Sequence, residues 1–209
     1  MSGKETQYAR GAAGWSDVQY ADSNAYLSHR ADLVATLGPV LERGDEVLDL
    51  ACGDGGLGAH LMERGLHYRG VDATPEMVAE AARKLGSGAC LEVGDMNEYA
   101  PPGPVAATTV FRAIYYARDR RAFLSRVASF TTVKLVLDLN PRQYAVADVV
   151  ADLRAAGLDS VALRPFFVPQ TVALPRVAAA ALRAGERSGP LARLLLHRRF
   201  TYIVAASRR

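Results

Sequence analysis

Cysteine, histidine and lysine are all scarce in this chain, and each scarcity closes off a kind of chemistry. Two cysteines and four histidines, scattered without ligand spacing, predict no metal site and argue against metal-assisted catalysis. Cys52 and Cys90 fall within or beside apolar strand-like runs, so they read as small buried fillers rather than a disulfide. No apolar run approaches the roughly 20 residues of a membrane span. The opening stretch MSGKETQYARGAAGW is too polar for a signal peptide, so a cytoplasmic location is expected. Nucleophile-elbow and P-loop patterns are also missing.

Lysine contributes only 3 of the 25 basic residues. With the abundant alanine, this arginine bias fits a GC-rich bacterial genome. The net charge of +3 is unevenly spread: residues 176–209 hold eight arginines against the single Glu186. This basic stretch reads as two short helices broken at Ser188-Gly189-Pro190. Their apolar stripes suit the core, a lipid-like substrate or weak contact with a membrane surface, with a solvated face as the simpler reading. The arginines are not interleaved with aromatics that would stack bases, so no nucleic-acid partner is expected. Nothing here fixes an oligomeric state.

What is present is an alternation of apolar strand-like runs with helical stretches over 209 residues, half of them hydrophobic. That pattern predicts an α/β fold, a doubly wound Rossmann-like sheet, in one domain spanning 1–209. Residues 1–41 read as an N-terminal helical lid, 46–139 as the ligand-binding core and 142–209 as a substrate side with a helical insertion at about 176–199. Strands are expected at 46–50, 68–72, 89–93, 106–111 and 134–139, with helices at 24–41, 56–64, 75–85, 119–130 and 143–156. Two more strands follow, separated by the insertion.

The most informative segment is VLDLACGDGGLG, residues 47–58. An apolar strand leads into a glycine-rich turn, and Gly53-Asp54-Gly55-Gly56-Leu57-Gly58 fits the G-x-G-x-x-G pattern of nicotinamide and flavin binders. Asp49 and Asp54 change the electrostatics, because carboxylates there repel a diphosphate and attract a cationic amino group. A second strand ends at Asp72, 19 residues after Gly53, where a carboxylate can accept from both ribose hydroxyls. A third ends at Asp95, followed by Met96. Each aspartate taken alone would also serve as a helix cap or turn residue.

Together Asp49-Leu50-Ala51-Cys52-Gly53-Asp54-Gly55, Asp72 with Met77, and Asp95-Met96 resemble class I S-adenosylmethionine-dependent methyltransferases of the small-molecule type. The resemblance runs from about Asn24 to the C-terminus. It implies S-adenosyl-L-methionine as cofactor and S-adenosyl-L-homocysteine as product. It places the methionine moiety on Asp49 and the Ala51–Gly55 backbone, and the ribose on Asp72. Ala73 and Met77 would flank the adenine, Asp95 would accept from its exocyclic amine, and the Met96 backbone would meet the ring. It also implies that the last two strands form an antiparallel pair. The chain departs from the family at Ala51, where glycine is usual. It also departs at Phe130-Thr131-Thr132-Val133, where a Pro-Gly-Gly turn is usual, and in the fourth strand, which lacks a leading acidic residue.

Methyl transfer is an in-line displacement, so holding the reactants collinear in a dry pocket is the protein's main task. Tyr20, Tyr26 and Arg30 lie in the lid, where matching family members meet the cofactor's carboxylate. Arg112, after the fourth strand, joins the cofactor-binding set. His29, Tyr115 and Tyr116 are the candidate catalytic residues, with Asn140 and Arg142 further along the same edge. His29 reads either as a general base for a hydroxyl or as an exposed lid histidine. Phe166, Phe167, Val168 and Gln170, with the insertion, suggest a largely apolar acceptor cavity. No Asn-Pro-Pro-Tyr motif follows the fourth strand, so the adenine or glutamine N-methylation that uses it is not expected. The expected activity is methyl transfer to a small, fairly apolar organic acceptor, most simply at oxygen, with nitrogen and carbon open. A nicotinamide-dependent oxidoreductase and a non-catalytic cofactor-binding regulatory or assembly protein are the alternatives.

Overall fold

A seven-stranded sheet in the order β3-β2-β1-β4-β5-β7-β6 organises the computed structural model, which describes residues 11–190, 192 and 201–208. The strands are β1 Glu46–Leu50, β2 His67–Asp72, β3 Ala89–Val93, β4 Val105–Val110, β5 Thr131–Leu139, β6 Ser160–Phe166 and β7 Thr201–Ser207. The helices are α1 Trp15–Gln19, α2 Ser23–Thr36, α3 Gly56–Glu63, α4 Pro75–Leu85, α5 Arg120–Phe130, α6 Val146–Ala155 and α7 Arg176–Arg187. Strands β1 to β5 pair in parallel, while β7 runs antiparallel between β5 and β6. This matches the expected Rossmann-like sheet with its antiparallel C-terminal pair.

The central strands read as continuous apolar runs because both faces of the sheet are covered. Alternate residues go opposite ways: Val47, Val136 and Ile203 pack with α2 and α3, whereas Leu48, Leu135 and Leu137 pack with α5 and α6. Strand order reverses between β1 and β4, which opens a crevice at the carboxyl ends of these strands.

Helix ends follow local chemistry. Asp22 caps α2 by accepting from the Ala25 N–H at 2.9 Å, and Asp119 caps α5 by accepting from Ala122 N–H at 3.0 Å. Pro75 opens α4. The tail of α2 is closed by a residue the sequence reading passed over. Buried Lys134 in β5 points its ammonium at the carbonyls of Ala35, Leu37 and Pro39, at 3.2, 2.9 and 2.6 Å. Burial lowers its pKa to about 8.

Three expectations need correction. The lid contains α1, which the polar N-terminal sequence did not suggest. The fifth strand starts at Thr131 and not at 134, so α5 runs straight into β5. Thr131 makes that junction, donating to the Val127 carbonyl at 2.8 Å and sharing a 2.7 Å bond with the Thr108 hydroxyl. Cys90 is exposed on edge strand β3 and is no core filler, although both cysteines are free as expected. The second half of the basic insertion, with His197, lies outside the described residues. Among the described residues, no helix is long and apolar enough to cross a membrane.

Candidate active site

The glycine-rich turn between β1 and α3 forms the floor of the site. Gly55 has φ 72°, and a Cβ there would lie 3.0 Å from the Ala81 Cβ and 2.9 Å from Leu85 Cδ1. Gly58 serves a different purpose, since a Cβ would come within 2.6 Å of the Tyr68 ring. Its absence lets Tyr68 lie against α3 and extend its hydroxyl to Asp49. Ala51 takes φ 61°, the left-handed conformation that explains why glycine is usual at this position.

Above this floor is a cavity of about 360 Å³, within the usual range for small-molecule sites. The three strand-end aspartates line it as expected, each fixed differently. Asp49 is buried, accepting from Tyr68 Oη at 2.8 Å and Thr109 Oγ1 at 2.6 Å. Burial pushes its pKa up to about 6, against the opposing effect of those hydrogen bonds and of Arg30. Among the described residues no cation lies within ion-pair distance of it. Asp72 is locked by the backbone, accepting from the Gly53 and Thr74 N–H groups, both at 2.9 Å. Asp95 accepts from the Asn97 N–H at 2.8 Å and pairs with Arg118 Nη2 at 2.5 Å. Its pKa is lowered despite burial, through the Asn97 bonds and the nearby arginines. Ala73, Met77 and Met96 complete this side, and the Met96 carbonyl accepts from Arg126.

Asp54 does not play the expected part. It is buried, paired with Lys84 at 2.6 Å, and it accepts from the Ser16 N–H and hydroxyl at 3.0 and 2.5 Å. Its charge is thus neutralised, and its job is to clasp α1 to the glycine turn. Those bonds lower its pKa although burial acts the other way.

The opposite wall is cationic and aromatic. Arg30 lines the cavity with its guanidinium 4.4 Å above the Phe111 ring, its Nη2 donating to Tyr26 Oη at 3.0 Å and lying 3.8 Å from Asp138 Oδ2. Its buried Nε has no partner. Tyr20 lines the cavity and stacks at 4.3 Å on Tyr26, which lies behind it outside the lining. Trp15, Arg112, Tyr115 and Tyr116 close this end.

Several expected residues are elsewhere. His29 is neither exposed nor in the cavity lining. Its Nε2 meets Glu186 Oε2 at 2.6 Å in a buried pair, and its ring stacks on Phe166. The other Glu186 oxygen accepts from the Phe167 N–H at 2.7 Å, so α7 is pinned to α2 and β6. Phe166 at the end of β6 and Phe167 and Val168 just after it are core residues, and none of the three lines this cavity. Gln170 ties down the lid, its carbonyl accepting from the Ala21 N–H at 2.9 Å. Neither α7 nor Asn140 and Arg142 line the cavity.

Residues 47–133 match the model of a family described as a methyltransferase domain. Over these residues the chain is similar to a methyltransferase domain. Trans-aconitate 2-methyltransferase of Mycobacterium tuberculosis is 32% identical over 108 residues, covering 49% of this chain and 40% of the relative. The chain spans 30–40% of the length of the curated relatives it matches. Among solved structures, a putative methyltransferase of Haloferax volcanii, in complex with the Trm112 activator, superposes with a TM-score of 0.64. It is 20% identical, with 97% of this chain and 98% of that one covered. Magnesium protoporphyrin IX methyltransferase of Synechocystis, with bound S-adenosylmethionine, gives 0.58 at 19% identity, covering 99% and 80%. The segment that matches the family model holds the glycine turn and the three aspartates.

Proposed function

We propose that the chain transfers a methyl group from S-adenosylmethionine to a small, fairly apolar organic acceptor, with oxygen as the receiving atom. The observation that carries this reading is Asp49, a buried carboxylate beside the glycine turn with two hydroxyl donors and no cation among the described residues. A buried charge left this way is costly, and a ligand ammonium relieves it. A dinucleotide diphosphate would add like charge to the same spot. The unpartnered Nε of Arg30 answers on the opposite wall, fitted to a ligand carboxylate. An amino acid head group with both charges suits the pair.

In this reading Asp49 and Arg30 hold the methionine moiety, Asp72 the ribose hydroxyls, and Ala73, Met77, Asp95 and Met96 the adenine. When bound, the cofactor supplies an electrophilic methyl group on a sulfonium. The chain's own residues orient the acceptor and exclude water: Trp15, Tyr20 and Phe111 form an aromatic wall, and Tyr115 and Tyr116 sit at its open end. His29 is committed to Glu186, so proximity rather than a histidine base carries the rate. The mycobacterial relative's name, trans-aconitate 2-methyltransferase, supports a small-molecule acceptor.

Calorimetric titration with S-adenosylmethionine, S-adenosylhomocysteine and NADH tests this directly. Micromolar binding of both sulfur nucleosides, with none for NADH, is expected. Binding of NADH alone would make the turn a dinucleotide site and sink the proposal.

A further inference from the structure

The cationic wall holds two guanidiniums that are not equivalent. Arg30 has Asp138 Oδ2 at 3.8 Å, and in the reading above its bare Nε takes the cofactor's carboxylate. Arg112 has no carboxylate within ion-pair distance among the described residues. Its Nη1 reaches Gln19 Oε1 at 3.4 Å, its guanidinium lies 5.9 Å from the centre of the Tyr20 ring, and it hydrogen-bonds the Tyr20 side chain. None of these partners is a carboxylate, and the charge is half removed from water.

The backbone beneath it is strained. Arg112 has φ 53°, a left-handed conformation that a residue with a side chain rarely adopts. It is held there by Asp138, whose Oδ1 accepts the Arg112 N–H at 2.7 Å. The buried carboxylate therefore serves both arginines, Arg30 by charge at 3.8 Å and Arg112 through its main chain with a further charge attraction from beyond ion-pair distance. The result is a cation lining the cavity with no carboxylate within ion-pair distance of its guanidinium among the described residues.

The cofactor brings one carboxylate, and Arg30 suffices for it. A second guanidinium in the same cavity calls for a second anion, and the acceptor is the component left to carry it. We propose that Arg112 docks a carboxylate of the acceptor, which is thus a small, partly apolar carboxylic acid. The planar fork of arginine matches a carboxylate edge, and Trp15, Tyr20 and Tyr116 supply ring surface for the rest of the molecule. This inference rests on the methyltransferase reading of the site.

The test uses protein saturated with S-adenosylhomocysteine and matched pairs of probes at constant ionic strength: benzoate and benzamide, cinnamate and cinnamamide, hexanoate and hexanamide. At least one acid should raise Tm above the value with S-adenosylhomocysteine alone while its amide does not. Arg112→Gln should erase that difference while changing the Kd for S-adenosylhomocysteine by less than about threefold. The proposal fails if no acid exceeds its amide, or if the preference survives in Arg112→Gln. It also fails if that variant weakens S-adenosylhomocysteine about tenfold or more, which would assign Arg112 to the cofactor. Loss of S-adenosylhomocysteine binding in the unaltered protein would instead overturn the methyltransferase reading, and this inference with it.

Discussion

The two walls of the cavity are built by different means. The acidic wall comes from three neighbouring strand ends, and Asp72 and Asp95 are locked largely by the backbone N–H groups that follow or face them. The cationic wall is assembled across the chain: Arg30 from the lid, Arg112 from beyond β4, and Asp138 from the end of β5 beneath both. A wall made from local turns tolerates change elsewhere in the protein. One made from distant side chains depends on the packing of α2 against the sheet.

The sharpest way to break the acidic wall is Asp72→Ala. It removes the proposed ribose acceptor and leaves the Gly53 and Thr74 N–H groups without their partner. Titration with S-adenosylhomocysteine should show a loss of about 100-fold or more, roughly 2.7 kcal/mol, with unchanged far-ultraviolet dichroism. Unaltered affinity would take Asp72 out of the site. Arg30→Met tests the other wall and should cost about tenfold in affinity together with a fall in Tm. Buried Asp138 would lose a counter-charge and the Tyr26 hydroxyl a donor.

A pH series sharpens the contrast further. The folded apoprotein keeps the Asp49 proton to about pH 6, whereas an unfolded chain releases it near pH 4. Between these values the folded state holds more protons, so apoprotein stability falls as pH rises through the window. A bound ammonium needs the ionised form. Affinity for S-adenosylhomocysteine should therefore be flat from pH 7 to about 6 and then drop, approaching tenfold per pH unit below it. Asp49→Asn should flatten that profile; an unchanged profile would show that another group controls binding.

The smallest effect expected is at Ala51, which carries left-handed strain on the acidic side. Ala51→Gly should shift stability by no more than about 1 kcal/mol in urea titration, because relief of strain is offset by added freedom in the unfolded chain. A large loss would mean that the Ala51 methyl group packs against something essential.

How legible each wall was in the sequence follows the same division. Asp49, Asp72 and Asp95 stood out because strands end where their apolar runs end, and parallel neighbours bring those ends together. Asp54 misled, because a carboxylate in a glycine turn gives no sign of a lysine 30 residues away that will neutralise it. His29 misled for a similar reason, its partner Glu186 lying 157 positions on in a helix that looked like solvated surface. Phe166 and Phe167 were assigned to a pocket because hydrophobicity alone does not say which face of an edge strand meets the core. Lys134 carried a faint signal, a lone lysine inside an apolar strand, but its three carbonyl partners exist only after α2 has docked.

Those carbonyl bonds also define the mechanics of the lid. Helix α2 is held at its tail by Lys134, along its length by Arg64 on Asp32 and Ser28, and from the side by Glu186 on His29. A rod fastened at three points belongs to the scaffold of the cavity. The short segment before it is fastened to the glycine turn through Ser16 and Asp54, so the part of the cavity wall that Trp15 and Ser16 supply hangs from the floor itself.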